Sequence, residues 1–151
     1  MAGVTRPLFV DDEAWQSLTR SARGALPREV GGILLGCFET QGPRVLAAPV
    51  VRDPRATRIR YRRDAHEAAR ILAEAVDHDE TGVLGYLGEW HSHPLPSGPS
   101  RTDLQSMRDL ARDGDFDVVL LVVALSPRGW VGHPRNVTPT GNVETLDLSW
   151  K

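Results

Sequence analysis

The sequence predicts an α/β fold in which helices pack on a mixed sheet. Apolar runs of strand length alternate with stretches in which apolar residues recur at helical spacing. Glycine, proline and other turn-forming residues bound most of these stretches. A chain of 151 residues also has the size of one ordinary domain with its own core. We therefore expect a single domain over residues 1–151, with helices covering the sheet.

Composition and charge narrow the class of protein. Hydrophobic residues make up 40% and charged residues 25% of the chain, as is typical of a globular protein. The net charge of -2 provides no basic field that would attract nucleic acid. A single cysteine excludes an internal disulfide, and the longest apolar run, residues 118–125, is too short to cross a membrane. The beginning of the sequence lacks the apolar core of a signal peptide. We expect a cytoplasmic protein without nucleic-acid or membrane partners.

The first third of the chain predicts one helix and two strands. The helix runs from a cap at Asp11 or Asp12 to Gly24, because apolar residues recur at helical spacing between them. Two apolar runs, 31–38 and 45–51, then flank a turn and predict adjacent strands.

The middle of the chain predicts a third strand followed by a helix. Ile59 and Tyr61 alternate with arginines in residues 57–62, which in a strand would separate an apolar face from a basic face. Asp64 can cap the next helix, whose apolar stripe ends at the acidic run 77–80.

The remaining sequence predicts four strands and one helix. The apolar runs 82–90, 118–125, 129–133 and 143–148 have strand length, and the helix spans 102–112. Strands and helices are thus interspersed along the chain, which favours a sheet packed by helices.

The pair His91 and His93 predicts a metal site. Alternate side chains on a strand share a face, so both imidazoles can meet one ion. The proline- and glycine-rich loop 94–99 can fold back and return Asp103 to the same place. Two nitrogens and one carboxylate suit zinc and leave a fourth position open, as in catalytic zinc sites. Hydrolysis also needs a group that takes up and delivers a proton, and Glu29 is the candidate.

Each of these residues also has an ordinary explanation. A lone His-x-His pair is more often hydrogen-bonded than metal-bound. Ser100 and Asp103 have the spacing of a capping box at the start of a helix. Glu29 alone would be a solvated charge between a helix and a strand. It is their combination that favours a metal site.

The combination resembles a known family, the JAMM metalloproteases, whose domain is also called JAB or MPN. The family's pattern is a glutamate beside a glycine-rich strand, then a His-Ser/Thr-His-Pro motif, then Ser-x-x-Asp. The loop between the second histidine and the serine is one residue shorter here than is usual in the family. The matching residues are Glu29, Gly32, Leu34, Gly36, His91, Ser92, His93, Pro94, Ser100 and Asp103.

The resemblance implies a fold, a cofactor and a role for each site residue. The fold would be a JAB/MPN domain, with a sheet-and-zinc layout like that of cytidine deaminases. One zinc ion per chain would be held by His91, His93 and Asp103. Glu29 would be the general acid and base, and Ser100 would stabilise the oxyanion, a role it would share with capping.

The resemblance also implies a substrate and partners. The family consists of zinc isopeptidases that act on ubiquitin and ubiquitin-like proteins, and this chain is similar to its compact bacterial members. The expected reaction is cleavage after the C-terminal tail of a ubiquitin-like protein, either to process its precursor or to remove it from conjugates. The expected partners are that protein or its conjugate, and the activating and conjugating enzymes of the same system.

Two other function classes fit parts of the sequence. A non-catalytic MPN scaffold, or a zinc-stabilised binding module, would keep the zinc ligands without needing Glu29. A deaminase would share the layout but is disfavoured, because a chain with one cysteine has no Pro-Cys-x-x-Cys element.

Residues 52–63 contain six arginines and form the other unusual segment. The ordinary interpretation is a solvated strand face whose charges discourage aggregation. The functional interpretation is a docking surface for an acidic partner, with Arg58, Arg60 and Tyr61 as substrate-binding residues.

Overall fold

The computed structural model describes residues 5–151 and contains one eight-stranded sheet with three helices. The order of strands and helices along the chain, together with the mixed sheet, confirms the predicted α/β fold. Along the chain the elements are β1 (Pro7–Val10), α1 (Asp12–Ala25), β2 (Gly31–Glu39), β3 (Gly42–Ala47), α2 (Ala65–His78), β4 (Gly85–His93), α3 (Arg101–Gly114), β5 (Val118–Ser126), β6 (Gly129–Val137), β7 (Val143–Thr145) and β8 (Asp147–Trp150).

The sheet is mixed, and its strand order is β7-β6-β5-β4-β2-β3-β1-β8. The pairs β4–β5, β1–β3 and β1–β8 are parallel, and the other pairs are antiparallel. Strands β4 and β2 lie at its centre, so a site built on them has neighbours on both sides.

Helices cover both faces of the sheet. Alternate residues of β5 pack on opposite sides, as the period of a strand requires: Leu121 joins the core under α1, and Leu120 joins the core under α3. Helix α2 lies on the same face of the sheet as α3. Its Ala68 packs in the same core cluster as Ile33 of β2. Each helix has 14 residues, and within residues 5–151 no helix is both long and apolar enough to cross a membrane.

The predicted strand at residues 57–62 is wrong. These residues form an irregular loop, and Ile59 is 88% exposed rather than turned toward a core. The reason is local hydrogen bonding: the carboxylate of Asp53 accepts the backbone N–H groups of Arg55 and Arg62 at 2.9 and 2.8 Å. Donors that are bound in this way cannot pair with a neighbouring strand.

Strands at both ends of the chain also differ from prediction. The short strand β1 was not predicted, although Leu8 and Val10 are fully buried between β3 and β8. The single strand predicted at 143–148 is two strands, β7 and β8, with buried Leu146 between them. Four residues are too few for a clear periodic signal.

Candidate metal and catalytic site

The C-terminal end of β4 places two imidazoles side by side. His91 and His93 project from the same face of the strand, and their Nε2 atoms lie 3.2 Å apart. A bulge at Gly88, where the pairing register with β2 shifts, determines which face they occupy. Gly88 has a φ of +154°, and a Cβ there would collide with the backbone of Val119. The position therefore requires glycine.

The first turn of α3 brings Asp103 to the two histidines. Its Oδ2 atom lies 3.2 Å from His91 Nε2 and 3.4 Å from His93 Nε2. The same oxygen accepts the backbone N–H of Ser100 at 2.8 Å, which completes a capping box. The two interpretations of Asp103, helix cap and member of the cluster, are therefore both realised by one carboxylate.

Glu29 approaches the cluster from the segment before β2 and is 5% exposed. Its backbone N–H donates to the carbonyl of Thr57 at 2.7 Å. The next residue, Val30, donates its N–H to the hydroxyl of buried Ser92 at 3.0 Å. These bonds fix the backbone on both sides of Glu29, whose Oε1 lies 3.5 Å from His93 Nε2.

Neighbouring groups orient the two imidazoles. The Nδ1 atom of His93 lies 2.8 Å from the carbonyl oxygen of Ser97, so Nδ1 carries the proton and the Nε2 lone pair points into the cluster. The ring of Tyr61 stacks near His91, with centroids 6.4 Å apart and planes at 25°. Only glycine fits at position 31, because a Cβ there would lie 2.6 Å from the Tyr61 ring.

The cluster fits a tetrahedrally coordinated cation. The three distances between His91 Nε2, His93 Nε2 and Asp103 Oδ2 are 3.2, 3.2 and 3.4 Å. A tetrahedron with metal–ligand bonds of about 2.0–2.1 Å has edges of about 3.3–3.4 Å. A carboxylate oxygen and imidazole lone pairs repel one another unless a positive charge lies between them. Glu29, His91 and His93 also form a group whose ligand atoms lie within 4.8 Å of one another and that could hold a metal ion.

The surroundings shift the pKa values of the acids in opposite directions. Burial raises the pKa of Glu29, although the nearby His91 and His93 oppose this shift. Burial would also raise the pKa of Asp103, but both histidines, when protonated, donate hydrogen bonds to its carboxylate, and this lowers that pKa well below its usual range. Asp103 is therefore held as a carboxylate, whereas Glu29 is more easily protonated.

Of the other predicted residues, Ser100 and Tyr61 lie next to members of the cluster. The hydroxyl of Ser100 accepts the N–H of Asp103 at 3.0 Å, and its own proton remains able to donate. Tyr61 lies against His91, and its hydroxyl donates to the carbonyl of Val51 at 2.6 Å. Arg58 and Arg60 are exposed in the loop that contacts Glu29, and neither makes an ion pair with a described carboxylate.

One group beside the site was not predicted from the sequence. Glu89 is 9% exposed and lies on the same face of β4 as the histidines. It forms an ion pair with Arg63 and accepts a hydrogen bond from the Tyr86 hydroxyl at 3.2 Å. Its position two residues before His91 was the available signal, since alternate residues of a strand share a face.

Comparisons with known proteins agree with this architecture. A family model described as prokaryotic homologs of the JAB domain matches residues 11–137. A protein of Enterobacter hormaechei subsp. hoffmannii, named CD-NTase/cGAS isopeptidase, is 28% identical over 144 residues, which cover 93% of this chain and 79% of that protein.

Solved structures show the same fold. A solution structure from Desulfitobacterium hafniense superposes with a TM-score of 0.70 at 21% identity, covering 95% of this chain and 92% of that one. A second, from Salinibacter ruber, has a TM-score of 0.60 at 21% identity and covers 93% and 88% of the two chains.

Proposed function

The chain belongs to the prokaryotic JAB-domain family, and from this premise we propose that it is a zinc-dependent isopeptidase or peptidase of the JAMM type. The observation that carries the proposal is the meeting of Asp103 Oδ2 with both histidine Nε2 atoms at tetrahedral-edge distances. These three residues would hold one zinc ion. Bound there, zinc would supply a Lewis acid for water and for the substrate carbonyl.

Glu29 is the proton-transferring residue of the proposed reaction. Its carboxylate would take a proton from the attacking water and deliver it to the leaving amine. Burial supports delivery of the proton to the leaving amine, because a raised pKa makes the protonated form of Glu29 easier to reach. The backbone bonds to Thr57 and Ser92 hold it in place while it does so.

Ser100 is the proposed oxyanion donor. Its Oγ accepts a backbone N–H with one lone pair, so its proton can point at a developing negative charge without breaking the helix cap. Loss of a comparable donor in other hydrolases costs about 2.7–4 kcal/mol of transition-state stabilisation.

The proposed substrate is a ubiquitin-like protein or its conjugate, cut after the C-terminal tail. Family membership and a relative named as an isopeptidase support this class of reaction. Arg58, Arg60 and Tyr61 are the proposed contacts, because the loop that bears them adjoins both Glu29 and His91. Activating and conjugating enzymes of the same system would be the partners.

Zinc analysis beside an activity assay tests the proposal. Protein purified without added metal is expected to contain about one zinc per chain, and Asp103→Ala is expected to lose it. The zinc-loaded protein should cleave a ubiquitin-like protein fused through its tail to a reporter, and a chelator should stop cleavage. Zinc without cleavage of any such fusion would favour a zinc-stabilised binding module. Absence of zinc, even after addition, would favour a scaffold.

A further inference from the structure

Residues 52–63, here called the arginine loop, are held firmly despite their irregular backbone. Asp53 binds two backbone N–H groups of the loop, and Thr57 binds Glu29. The Tyr61 hydroxyl binds the carbonyl of Val51, and Arg63 pairs with buried Glu89. The loop is therefore held at several points along its length. Its arginines other than Arg63 extend from this well-held backbone.

A groove of about 620 Å³ runs between the end of α1 and the arginine loop. Its lining includes Arg28, which follows α1, and Arg52, which belongs to the arginine loop. Glu29, Asp53 and Tyr61 are also part of the lining. Glu29 also faces His93, and Tyr61 also faces His91. A ligand bound in the groove therefore lies next to the side-chain cluster of His91, His93 and Asp103.

The groove and the arginine loop together carry more positive than negative charge. Six arginines there are exposed, and within residues 5–151 none of them makes an ion pair. The nearby carboxylates are fewer: Glu29 and Asp53 line the groove, and Asp64 caps α2. Asp53 accepts two backbone N–H groups of the loop, which hold its carboxylate in place. The six arginines are Arg28, Arg52, Arg55, Arg58, Arg60 and Arg62.

We propose that this groove binds an acidic peptide segment of the substrate, and that Arg28 and Arg52 select for it by charge. Guanidinium groups bind carboxylates through paired N–H donors, and arginines from two segments of the lining would bind acidic side chains of an extended peptide. This inference rests on the proposed function, which identifies the segment as the substrate's C-terminal tail or the residues around the cleaved bond. A tail rich in lysine or arginine would be rejected by the same charges.

A binding assay with defined peptides tests the proposal on the zinc-loaded protein. Three fluorescein-labelled peptides of equal length are used, with glycine alternating with glutamate, glutamine or lysine. Fluorescence anisotropy at 50 mM salt measures the affinity, and mass spectrometry checks that the peptides stay intact. We expect the glutamate peptide to bind at least tenfold more tightly than the glutamine peptide. Raising the salt to 500 mM should remove most of that difference.

Substitution of the walls locates the site. Arg28→Gln and Arg52→Gln should each weaken binding of the glutamate peptide by up to about fivefold, and the double variant by about tenfold or more. Arg28→Lys and Arg52→Lys should retain most of the binding, because they keep the charge. Arg112→Gln is the matched control: it is exposed, and it lies about 14 Å along α3 from Asp103.

Three results would overturn the proposal. These are equal affinity for the glutamate and glutamine peptides, binding that survives the double substitution, and equally tight, arginine-dependent binding of a single-stranded oligonucleotide. The last would mean a general anion surface. These outcomes are separate from failure of the proposed function: absence of zinc or of turnover would remove the enzyme assignment, whereas the peptide preference is measured without turnover.

Discussion

Two buried glutamates flank the site, and their surroundings differ. Glu29 is 5% exposed and Glu89 is 9% exposed. Glu89 is neutralised within the protein, since Arg63 and the Tyr86 hydroxyl both bind its carboxylate. The one described residue that can pair with the Glu29 carboxylate is His93, whose Nε2 lies 3.5 Å away and which is a cation only when it is protonated. Similar burial therefore accompanies two different electrostatic situations.

The difference separates a carboxylate with a structural role from the carboxylate that is proposed to transfer protons. Glu89 ties the end of the arginine loop to β4, so its charge serves to hold the loop that carries Tyr61. Glu29 is held through its backbone, which leaves its carboxylate to face the histidines. A buried acid without a matching cation is costly unless a ligand or a proton compensates it. Substitution of Glu29 should therefore lower activity, whereas breaking the Glu89 ion pair should lower stability.

The largest expected effect is on activity at Glu29. Glu29→Gln keeps the shape of the side chain but cannot accept the proton, so turnover of a cleavable fusion should fall by about 10²- to 10⁴-fold. Zinc content should be retained, and so should the free energy of unfolding of the zinc-loaded protein. Steady-state kinetics with elemental analysis checks this, and unchanged turnover would remove Glu29 from the mechanism. Glu89→Gln is the matched control and should keep most of the activity.

The next effect is on stability at Arg63. Arg63→Met leaves Glu89 buried without its cation, which should lower the free energy of unfolding by about 3 kcal/mol, the low end for breaking a buried ion pair. Adding Glu89→Gln should restore much of the loss, because no unpaired charge then remains. Urea unfolding of the single and double variants measures this. A double variant as unstable as Arg63→Met would show that the charge of Glu89 is not the cause.

A smaller effect concerns the pH dependence of stability. Burial raises the pKa of Glu29 above its ordinary value of 4.5. Between that value and the raised pKa, the folded state binds more protons than the unfolded state, so stability falls as pH rises. In chelator, the wild type should therefore lose stability relative to Glu29→Gln as pH rises from about 4.5 through the raised pKa, by about 1.4 kcal/mol for each pH unit between the two pKa values. Urea unfolding between pH 4.5 and 7 tests this, and parallel curves would contradict it.

The smallest effect is expected on stability at Tyr61, which belongs to the loop that contacts both Glu29 and Glu89. Tyr61→Phe keeps the ring against His91 but removes the hydrogen bond to the Val51 carbonyl. The free energy of unfolding should fall by about 1 kcal/mol. Thermal or urea unfolding measures the change, and Tyr61→Ala, which also removes the ring, should cost more. Equal losses for the two variants would mean that the ring contributes nothing.

The sequence predicted the parts of the site that follow from spacing. His91 and His93 share a face because they are two residues apart on a strand, and Ser100 and Asp103 are three apart at a helix start. Both relations are local, so the structure reproduces them. The helices and most strands were also predicted, because their apolar periodicity extends over several turns or residue pairs.

The sequence did not predict the arginine loop correctly. Alternation of apolar and basic residues at 57–62 indicates a strand only if a partner strand is available. Both edges of β2 are occupied, by β3 and β4, and Asp53 binds the loop's own amides. The alternating pattern is therefore present in the sequence, but these residues do not form a strand because their backbone groups have other hydrogen-bond partners.

By itself, the sequence determined the fold class and the set of residues that could bind a metal, because periodicity and short spacings are properties of the local chain. Only the tertiary structure decided which carboxylates matter. Glu29 and Glu89 are 60 positions apart in the sequence, and their difference arises from Arg63, Tyr86 and His93, which different segments contribute. Charge compensation in a buried site depends on distances between such segments, and a sequence does not contain those distances.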